Sequence, residues 1–264
     1  MRYYIPMHVQ TDLHVHTIAS GHAFSTVAEI ARQASLIGLL AFGIADHGPS
    51  VPGAPQLLYF SALRFLPRRM EGVRVLRGVE ANLTGQKGEL DIPDDLLQKL
   101  DYAMIGYHYG CGVQPSTRTR NTEVLIAAMR HPKVRVVTHP GNPAFPIEID
   151  ALVEAAKDLR VALELNNASF VNTRTGSRET CARIAAQLAR ADGLVAIGSD
   201  AHVAYDVGEV SEAWDVASEC GVRPEQVVNH TYEGLARFLG LEESDESDAS
   251  DRSEVEPVRP FRAV

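Results

Sequence analysis

Thr11-Asp12-Leu13-His14-Val15-His16-Thr17 is an alternating run that predicts a short β-strand. Successive side chains of a strand point to opposite faces, and the chain rises about 3.3 Å per residue. His14 and His16 are therefore expected on one face, close enough together to share a small cation. Further histidines and acidic residues follow other predicted strands and strengthen this expectation.

Short runs rich in apolar residues recur along the chain and are interpreted as strands: Thr11–His16, Leu40–Asp46, Val73–Glu80, Tyr102–His108, Val134–His139, Val161–Asn166 and Leu194–Ser199. Several are almost continuously apolar, which is typical of parallel strands buried on both faces. Amphipathic stretches that suit helices lie between most of them. The first helix is expected to be capped by Ser25 or Thr26 and to stop at Gly38. This β/α alternation predicts a parallel sheet with right-handed crossovers.

The positions of the candidate ligands decide between a closed barrel and an open sheet. Besides His14 and His16, the candidates at or just after predicted strand ends are His22, His47, Glu80, His108, His139, Asp200 and His202. In a barrel the carboxyl ends of all strands converge on one mouth, whereas an open sheet spreads them along an edge. We therefore predict a sheet that is rolled up.

Composition limits the classes of function. The chain has 264 residues, is 45% apolar, and is long enough for one α/β barrel or two small domains. Its net charge of −9, without a large Lys/Arg cluster, disfavours non-specific nucleic-acid binding. Cys111, Cys181 and Cys220 are widely spaced and lack a C-x-x-C pattern, so we expect free thiols.

Two regions are expected along the chain. Residues 1–240 form the predicted catalytic domain, and residues 241–264 are acidic and poor in apolar residues, which predicts a disordered tail. The sequence shows no apolar run of about 18 residues and no charged-then-apolar leader. These features predict a cytoplasmic protein that does not bind membranes.

Five segments resemble the signature motifs of the PHP (polymerase and histidinol phosphatase) superfamily: residues 12–17 (DLHVHT), 46–48 (DHG), 78–81 (GVEA), 139–143 (HPGNP) and 198–202 (GSDAH). The resemblance runs from about residue 11 to residue 240. It is closest to the bacterial stand-alone phosphatases labelled YcdX-like, whose pattern includes an equivalent of His22. The resemblance implies an α/β fold, a distorted seven-stranded parallel (β/α)7 barrel of the TIM type, which agrees with the strand count.

The resemblance also implies a cluster of three divalent metal ions. His14 and His16 would bind one ion with Glu80 and Asp200, Glu80 would bridge to a second ion held by His108 and His139, and His22, His47 and His202 would hold the third. Imidazole and carboxylate donors without thiolate suit zinc, with manganese or iron as alternatives. Two such ions can hold a bridging hydroxide that attacks phosphorus. Glu80 and Asp200 are the predicted catalytic residues.

These features predict a metal-dependent phosphoric-monoester hydrolase whose partner is a small phosphate ester. Asn142 and Arg118 are the substrate-binding candidates, with Arg120 and Arg174 as further cations that could hold an anion. Asp12 and Asp46 are interpreted either as residues that orient a ligand imidazole or as capping and turn residues.

Three alternatives stay open at this point. A PHP-type nuclease or phosphodiesterase is disfavoured by the acidic balance. An amidohydrolase also carries H-x-H on a barrel strand, but its sites commonly use a bridging lysine, and no strand-end lysine is found here. The third alternative is a non-catalytic regulator that binds metal. The relatives that the resemblance suggests also point to a homotrimer.

Overall fold

Most strands are followed by a helix in the computed structural model, which describes residues 9–241. The strands are β1 (Thr11–Val15), β2 (Ala41–Ile44), β3 (Arg69–Met70), β4 (Val73–Arg77), β5 (Glu80–Asn82), β6 (Ala103–Gly106), β7 (Val134–Val137), β8 (Ala162–Asn166) and β9 (Val195–Gly198). The α-helices are α1 (Val27–Ile37), α2 (Leu57–Ala62), α3 (Asp94–Leu97), α4 (Arg118–Met129), α5 (Ile149–Leu159), α6 (Ala168–Val171), α7 (Ser177–Ala191), α8 (Ser211–Glu219) and α9 (Tyr232–Leu239). The predicted tail lies outside the described residues from residue 242 onward.

The bounds of α1 follow from its terminal residues, as predicted. The Thr26 side chain accepts a hydrogen bond from the backbone N–H of Glu29, and the Glu29 carboxylate accepts one from the backbone N–H of Thr26. This capping box satisfies two N–H groups that the helix itself leaves unpaired. At the other end Gly38 has φ of 84°, a left-handed conformation that glycine adopts at little cost.

The strands form two sheets, with orders β1-β2-β4-β3 and β5-β6-β7-β8-β9. All ladders are parallel except the one between β3 and β4. The α/β class with parallel strands is confirmed, but no single closed barrel of seven strands is present among the described residues. The predicted run Val73–Glu80 breaks at Gly78, where a Cβ would lie 2.5 Å from the ring of Tyr102. Its first part pairs with β2, and its continuation pairs with β6.

The two sheets meet at the carboxyl ends of β1, β2 and β9 and at the amino end of β5. On one side His47 pairs with Glu80, and the N–H of Gly48 donates to the Glu80 carbonyl at 2.9 Å. On the other side Val15 pairs with Ala201 beyond the end of β9. These bridges bring the ends of β1, β2, β5 and β9 into one region, and the site is built there.

Apolar residues bury the strands on both faces, as their composition predicts. One buried cluster takes side chains from strands of both sheets and from α9: Leu13, Ala41, Leu76, Tyr102, Met104, Val136, Ala162, Ala196, Leu235 and Phe238 are among its members. A larger cluster includes neighbouring strand residues such as Ile105 and Ile197, together with Ile30 of α1 and Ile184 of α7. No helix in the described part of the chain is long and apolar enough to cross a membrane. The three cysteines are free thiols.

Candidate metal centre

Glu80, the first residue of β5, is the central carboxylate of the site and is fully buried. Its Oε1 lies 2.9 Å from His139 Nε2 and 3.2 Å from His108 Nε2. Its Oε2 lies 2.9 Å from His47 Nδ1. Residues that follow β2, β6 and β7 therefore converge on one carboxylate, as the positions of the candidate ligands predict.

The two histidines of β1 and its following residue meet a second carboxylate. Asp200 Oδ1 lies 3.4 Å from His14 Nε2 and 3.1 Å from His16 Nε2. The two Nε2 atoms lie 3.1 Å from each other, and both also approach Glu80 Oε2, at 3.5 and 3.6 Å. The expected placement of both imidazoles at one point is what the structure shows.

The remaining predicted ligands lie toward the solvent. The His22 ring centroid is 5.1 Å from that of His47 and 4.9 Å from that of His202, and the His202 ring lies 4.4 Å from that of His16. His22 is exposed and His202 is partly buried, whereas His14 is completely buried. We call His14, His16, His139, Glu80 and Asp200 the floor of the site, and His22, His47, His108 and His202 its rim.

Three sets of donor atoms lie close enough together to bind one ion each. They are His16, His47 and His202; His14, His16 and Asp200; and His47, Glu80 and His108, each with donor atoms within 4.8 Å of one another. His16 and His47 occur in two sets, and His22 and His139 occur in none. All nine predicted ligands gather at the site, while the assignment of each to a particular ion stays a prediction.

Hydrogen bonds fix which nitrogen of most imidazoles faces the cluster. The Nδ1 partners are Glu164 Oε1 for His14 (2.6 Å), Ser20 Oγ for His16 (3.1 Å), the Ser20 carbonyl for His22 (3.0 Å), Asn82 Oδ1 for His108 (2.7 Å) and the Asp200 carbonyl for His202 (2.9 Å). Ser20 Oγ gives its own hydrogen to Asp46, so it also acts as an acceptor. Each Nδ1 is therefore placed to donate to its acceptor, which leaves Nε2 as the nitrogen that would bind a metal.

The residues present fit divalent cations. His47 Nδ1, Glu80 Oε2 and His108 Nε2 are buried polar atoms that make no hydrogen bond of good geometry, although His47 Nδ1 and Glu80 Oε2 lie 2.9 Å apart. Such atoms are costly to bury, and three in one cluster need a shared electrostatic partner. Imidazole nitrogen and carboxylate oxygen are donors that zinc, manganese and iron accept.

The protonation states also suit a metal centre. Burial favours the neutral form of Glu80 and Asp200, but the surrounding imidazoles outweigh it and hold the pKa of both carboxyls well below its usual range. Burial lowers the pKa of His16, and it lowers that of His139 to about 3. Burial also favours the neutral form of His14, but the carboxylates of Glu164, Asp200 and Glu80 outweigh it and raise the pKa of His14 well above its usual range, so His14 releases a proton when it binds a metal. Ionised carboxylates and neutral imidazoles are the forms that bind divalent metals.

A cavity of about 810 Å³ opens beside the cluster, and its lining includes His22, His47, His108, Asp200 and His202. Arg174 is the one Lys or Arg among its described lining residues, and its Nη1 lies 3.0 Å from Asp200 Oδ2. Arg174, His139 and Asp200 all have positive φ, of 43°, 33° and 59°. Such strain in non-glycine residues is concentrated at functional sites.

The two predicted substrate-binding residues lie outside this cavity lining. Arg118 Nη1 donates to the carbonyl of Ile147 at 3.3 Å. Asn142 Oδ1 accepts from the N–H of Ala144 at 3.1 Å, which is an ordinary turn contact. Of the basic candidates, Arg174 is the one that the structure places at the cavity.

Sequence reasoning missed the residues that bond directly to ligand imidazoles. Asp46 acts only through Ser20, and Asp12 bonds to the Ser199 hydroxyl at 2.5 Å and to the N–H of Gly208 at 2.9 Å. The direct partners include Glu164, whose charge interrupts the apolar run Val161–Asn166. An ionisable residue within a strand buried on both faces was the signal that could have identified it.

An α/β protein that gathers imidazoles and carboxylates at the carboxyl ends of parallel strands, beside one cavity, has the features of a metal-dependent enzyme. The sequence matches the family described as PHP domain over residues 12–219. The chain belongs to the PHP domain family.

Similar proteins agree with this membership. A protein of Syntrophotalea carbinolica named probable phosphatase is 42% identical over 232 residues, which cover 88% of this chain and 96% of that protein. A probable phosphatase of Caldanaerobacter subterraneus subsp. tengcongensis is 42% identical over 228 residues, covering 86% of this chain and 90% of that protein. The prediction of a phosphatase enzyme is confirmed by these relatives.

The fold also has a solved counterpart. It resembles the crystal structure of histidinol phosphate phosphatase from Lactococcus lactis complexed with zinc, L-histidinol and phosphate. The TM-score is 0.55 at 15% sequence identity, and the match covers 81% of this chain and 94% of that chain. At this identity the likeness establishes the fold alone.

Proposed function

We propose that the chain is a metal-dependent phosphoric-monoester hydrolase that acts on a small phosphorylated substrate. The observation that carries this proposal is the clustering of buried carboxylates and imidazoles beside one cavity whose lining includes an arginine. The donors can hold cations, and the arginine can hold an anion beside them.

The side chains of this chain would bind up to three divalent cations, with zinc favoured by the imidazole-rich donor set. Glu80 and Asp200 would supply the negative charge, and the imidazole nitrogens that face them, Nε2 of His14 and His108 among them, would supply the other donors. Divalent cations held there supply Lewis acidity toward water and toward phosphoryl oxygens.

Arg174 is proposed to bind the phosphoryl group. Its Nη1 bonds to Asp200 Oδ2 at 3.0 Å and to Ser169 Oγ at 3.2 Å, and these contacts orient the guanidinium. A guanidinium has five N–H donors in a planar fork that matches phosphate oxygens. Because a monoester carries more negative charge and more free oxygens than a diester, this contact favours monoesters.

The cavity supports a small substrate over a nucleic acid. Its volume of about 810 Å³ lies within the roughly 300–1,000 Å³ typical of small-molecule sites. Asp206, Glu209 and Glu212 belong to its lining, so a polyanion that extended past the reacting phosphate would meet like charges. Tyr109 and Val171 offer an apolar wall for the leaving alcohol.

The test is hydrolysis by purified protein loaded with zinc or manganese. Substrates are a panel of phosphomonoesters, a phosphodiester and single-stranded DNA, assayed with wild type, Asp200→Asn and Arg174→Gln. We expect the monoesters to be cleaved fastest, Asp200→Asn to lose activity, and Arg174→Gln to lose more activity on monoesters than on the diester. Faster cleavage of the diester or of DNA would contradict the proposal and indicate a phosphodiesterase or a nuclease. No cleavage of any substrate would favour a non-catalytic regulator.

A further inference from the structure

Glu164 lies in the middle of β8 and is completely buried. It belongs to none of the three sets of donor atoms that could bind an ion. Its neighbours Leu163 and Leu165 pack into the apolar core, so Glu164 is the one charged residue of β8. A buried carboxylate is retained at such a position only when its oxygens are well bonded.

Both oxygens of Glu164 accept hydrogen bonds. Oε1 lies 2.6 Å from His14 Nδ1. Oε2 accepts from the backbone N–H of His139 at 2.8 Å and from Asn166 Nδ2 at 3.2 Å. All three partners approach as N–H donors, so the position needs two acceptor oxygens and has no place for a donor.

These bonds act on two predicted metal ligands that come from different strands. The bond to His14 keeps the proton on Nδ1 and directs Nε2 to Asp200 and His16. The bond to the backbone N–H of His139 stabilises that residue at a φ of 33°. This left-handed conformation costs a non-glycine residue free energy. The Glu164 side chain thus orients the imidazole of His14 on β1 and the backbone of His139, which follows β7.

The chain makes room for this contact at Gly198. A Cβ at that position would lie 2.7 Å from His14 Cβ and would collide with Glu164 Oε1. The glycine of the segment at residues 198–202 is therefore required by the close approach of Glu164 and His14.

We propose that Glu164 is a positioning residue that aligns His14 and His139 for metal binding through its two acceptor oxygens. The proposal rests on the metal site of the proposed function. Glutamine at this position supplies one oxygen and one NH₂ group, so it leaves either His14 or the N–H of His139 facing a donor. Aspartate keeps both oxygens but is shorter by about 1.5 Å, so it reaches only one side.

Metal binding is the first readout. Zinc affinity and stoichiometry are measured by competition with a chromophoric chelator for wild type, Glu164→Gln, Glu164→Asp and the control Glu154→Gln, whose side chain is exposed on α5. We expect both Glu164 variants to bind zinc about 10- to 100-fold more weakly, the range for residues that orient ligands. The control should match wild type. Either Glu164 variant that folds and binds zinc with wild-type affinity and stoichiometry would overturn the proposal.

The second readout is the tautomer of His14 in zinc-loaded protein, measured by NMR on histidine labelled with ¹⁵N, with His14→Gln used for assignment. We expect Nδ1–H in the wild type and a shift toward Nε2–H or mixed tautomers in Glu164→Gln, which a purely structural role would not produce. Nε2–H in the wild type would overturn the proposal without any variant. Wild type that binds zinc but hydrolyses no phosphomonoester would contradict the proposed function alone, whereas wild type without zinc affinity would contradict both.

Discussion

The floor and the rim of the site use the same residue types in different surroundings. His14 and Glu80 on the floor are completely buried, whereas the His202 side chain at the rim is 32% exposed and His22 is exposed. Nδ1 of His14 bonds to the Glu164 carboxylate, whereas Nδ1 of His22 and of His202 bonds to a backbone carbonyl. Charge interactions are stronger in a low-dielectric interior and are weakened by solvent. We therefore expect ions on the floor to bind tightly and an ion at the rim to exchange.

Glu80→Gln is expected to have the largest effect, because Glu80 contacts imidazoles of both floor and rim. Loss of its charge leaves the surrounding imidazoles without the carboxylate that they share. We expect metal to be lost from both regions and hydrolysis to fall by more than about a hundredfold, beyond the range for residues that only orient ligands. Metal analysis and kcat of Glu80→Gln and Glu154→Gln measure this, and full metal content with unchanged kcat would refute it.

Asp91→Asn should have the next largest effect, through a chain of bonds to a rim ligand. Asp91 accepts from the backbone N–H of Asn82 at 2.8 Å, from Asn82 Nδ2 at 2.6 Å and from the N–H of Ser50 at 2.9 Å. These bonds turn Asn82 Oδ1 toward His108 Nδ1. Asparagine at residue 91 has a single acceptor oxygen, so the Asn82 amide would lose part of its support, keep its bond to the Gly48 carbonyl at 3.2 Å, and turn more readily to present NH₂ to His108.

We expect Asp91→Asn to weaken zinc binding about tenfold, at the lower end for residues that orient ligands. Asp95→Asn, an exposed change on α3, is the matched control. Chelator competition measures both. Equal affinities of the two variants would show that the tautomer of His108 does not depend on Asp91.

The elements that local sequence determines were predicted well. The two imidazoles of β1 follow from strand alternation, and the ends of α1 follow from Thr26 and Gly38. The break between β4 and β5 depends on Tyr102, which packs against Gly78 from more than 20 residues away in sequence. Local propensity contains no information on such a contact.

The residues that bond to the metal ligands also depend on contacts between distant parts of the sequence. Glu164 reaches His14 across 150 positions, and its role depends on how β8 pairs with β7 and how their sheet meets β1. Arg174 and Arg118 have equal chemistry, and only the course of the loop before α7 decides which of them reaches the cavity. Motifs identified the metal ligands because strand ends converge; the residues that orient them required the tertiary structure.

His22→Ala tests the difference between floor and rim directly. His22 is exposed and is bonded to the protein through the Ser20 carbonyl, so its loss should release the ion predicted to bind at His22, His47 and His202 and leave the floor intact. We expect about one ion fewer per chain and a loss of activity of about tenfold, smaller than for Glu80→Gln. Metal analysis after gel filtration, compared with His14→Ala, measures this. Equal metal loss in the two variants would mean that floor and rim bind as one unit.

Arg118→Ala and Asn142→Ala should have the smallest effects, because both side chains lie away from the cavity that the floor and rim share. Surface contacts of this kind change stability by roughly 0.5 kcal/mol or less. We expect KM and kcat within about twofold of wild type. Under the same conditions Arg174→Gln should raise KM, since its guanidinium lies 3.0 Å from Asp200 at the cavity. If KM rises for Arg118→Ala but not for Arg174→Gln, the substrate binds at the face near Ile147 and not in this cavity.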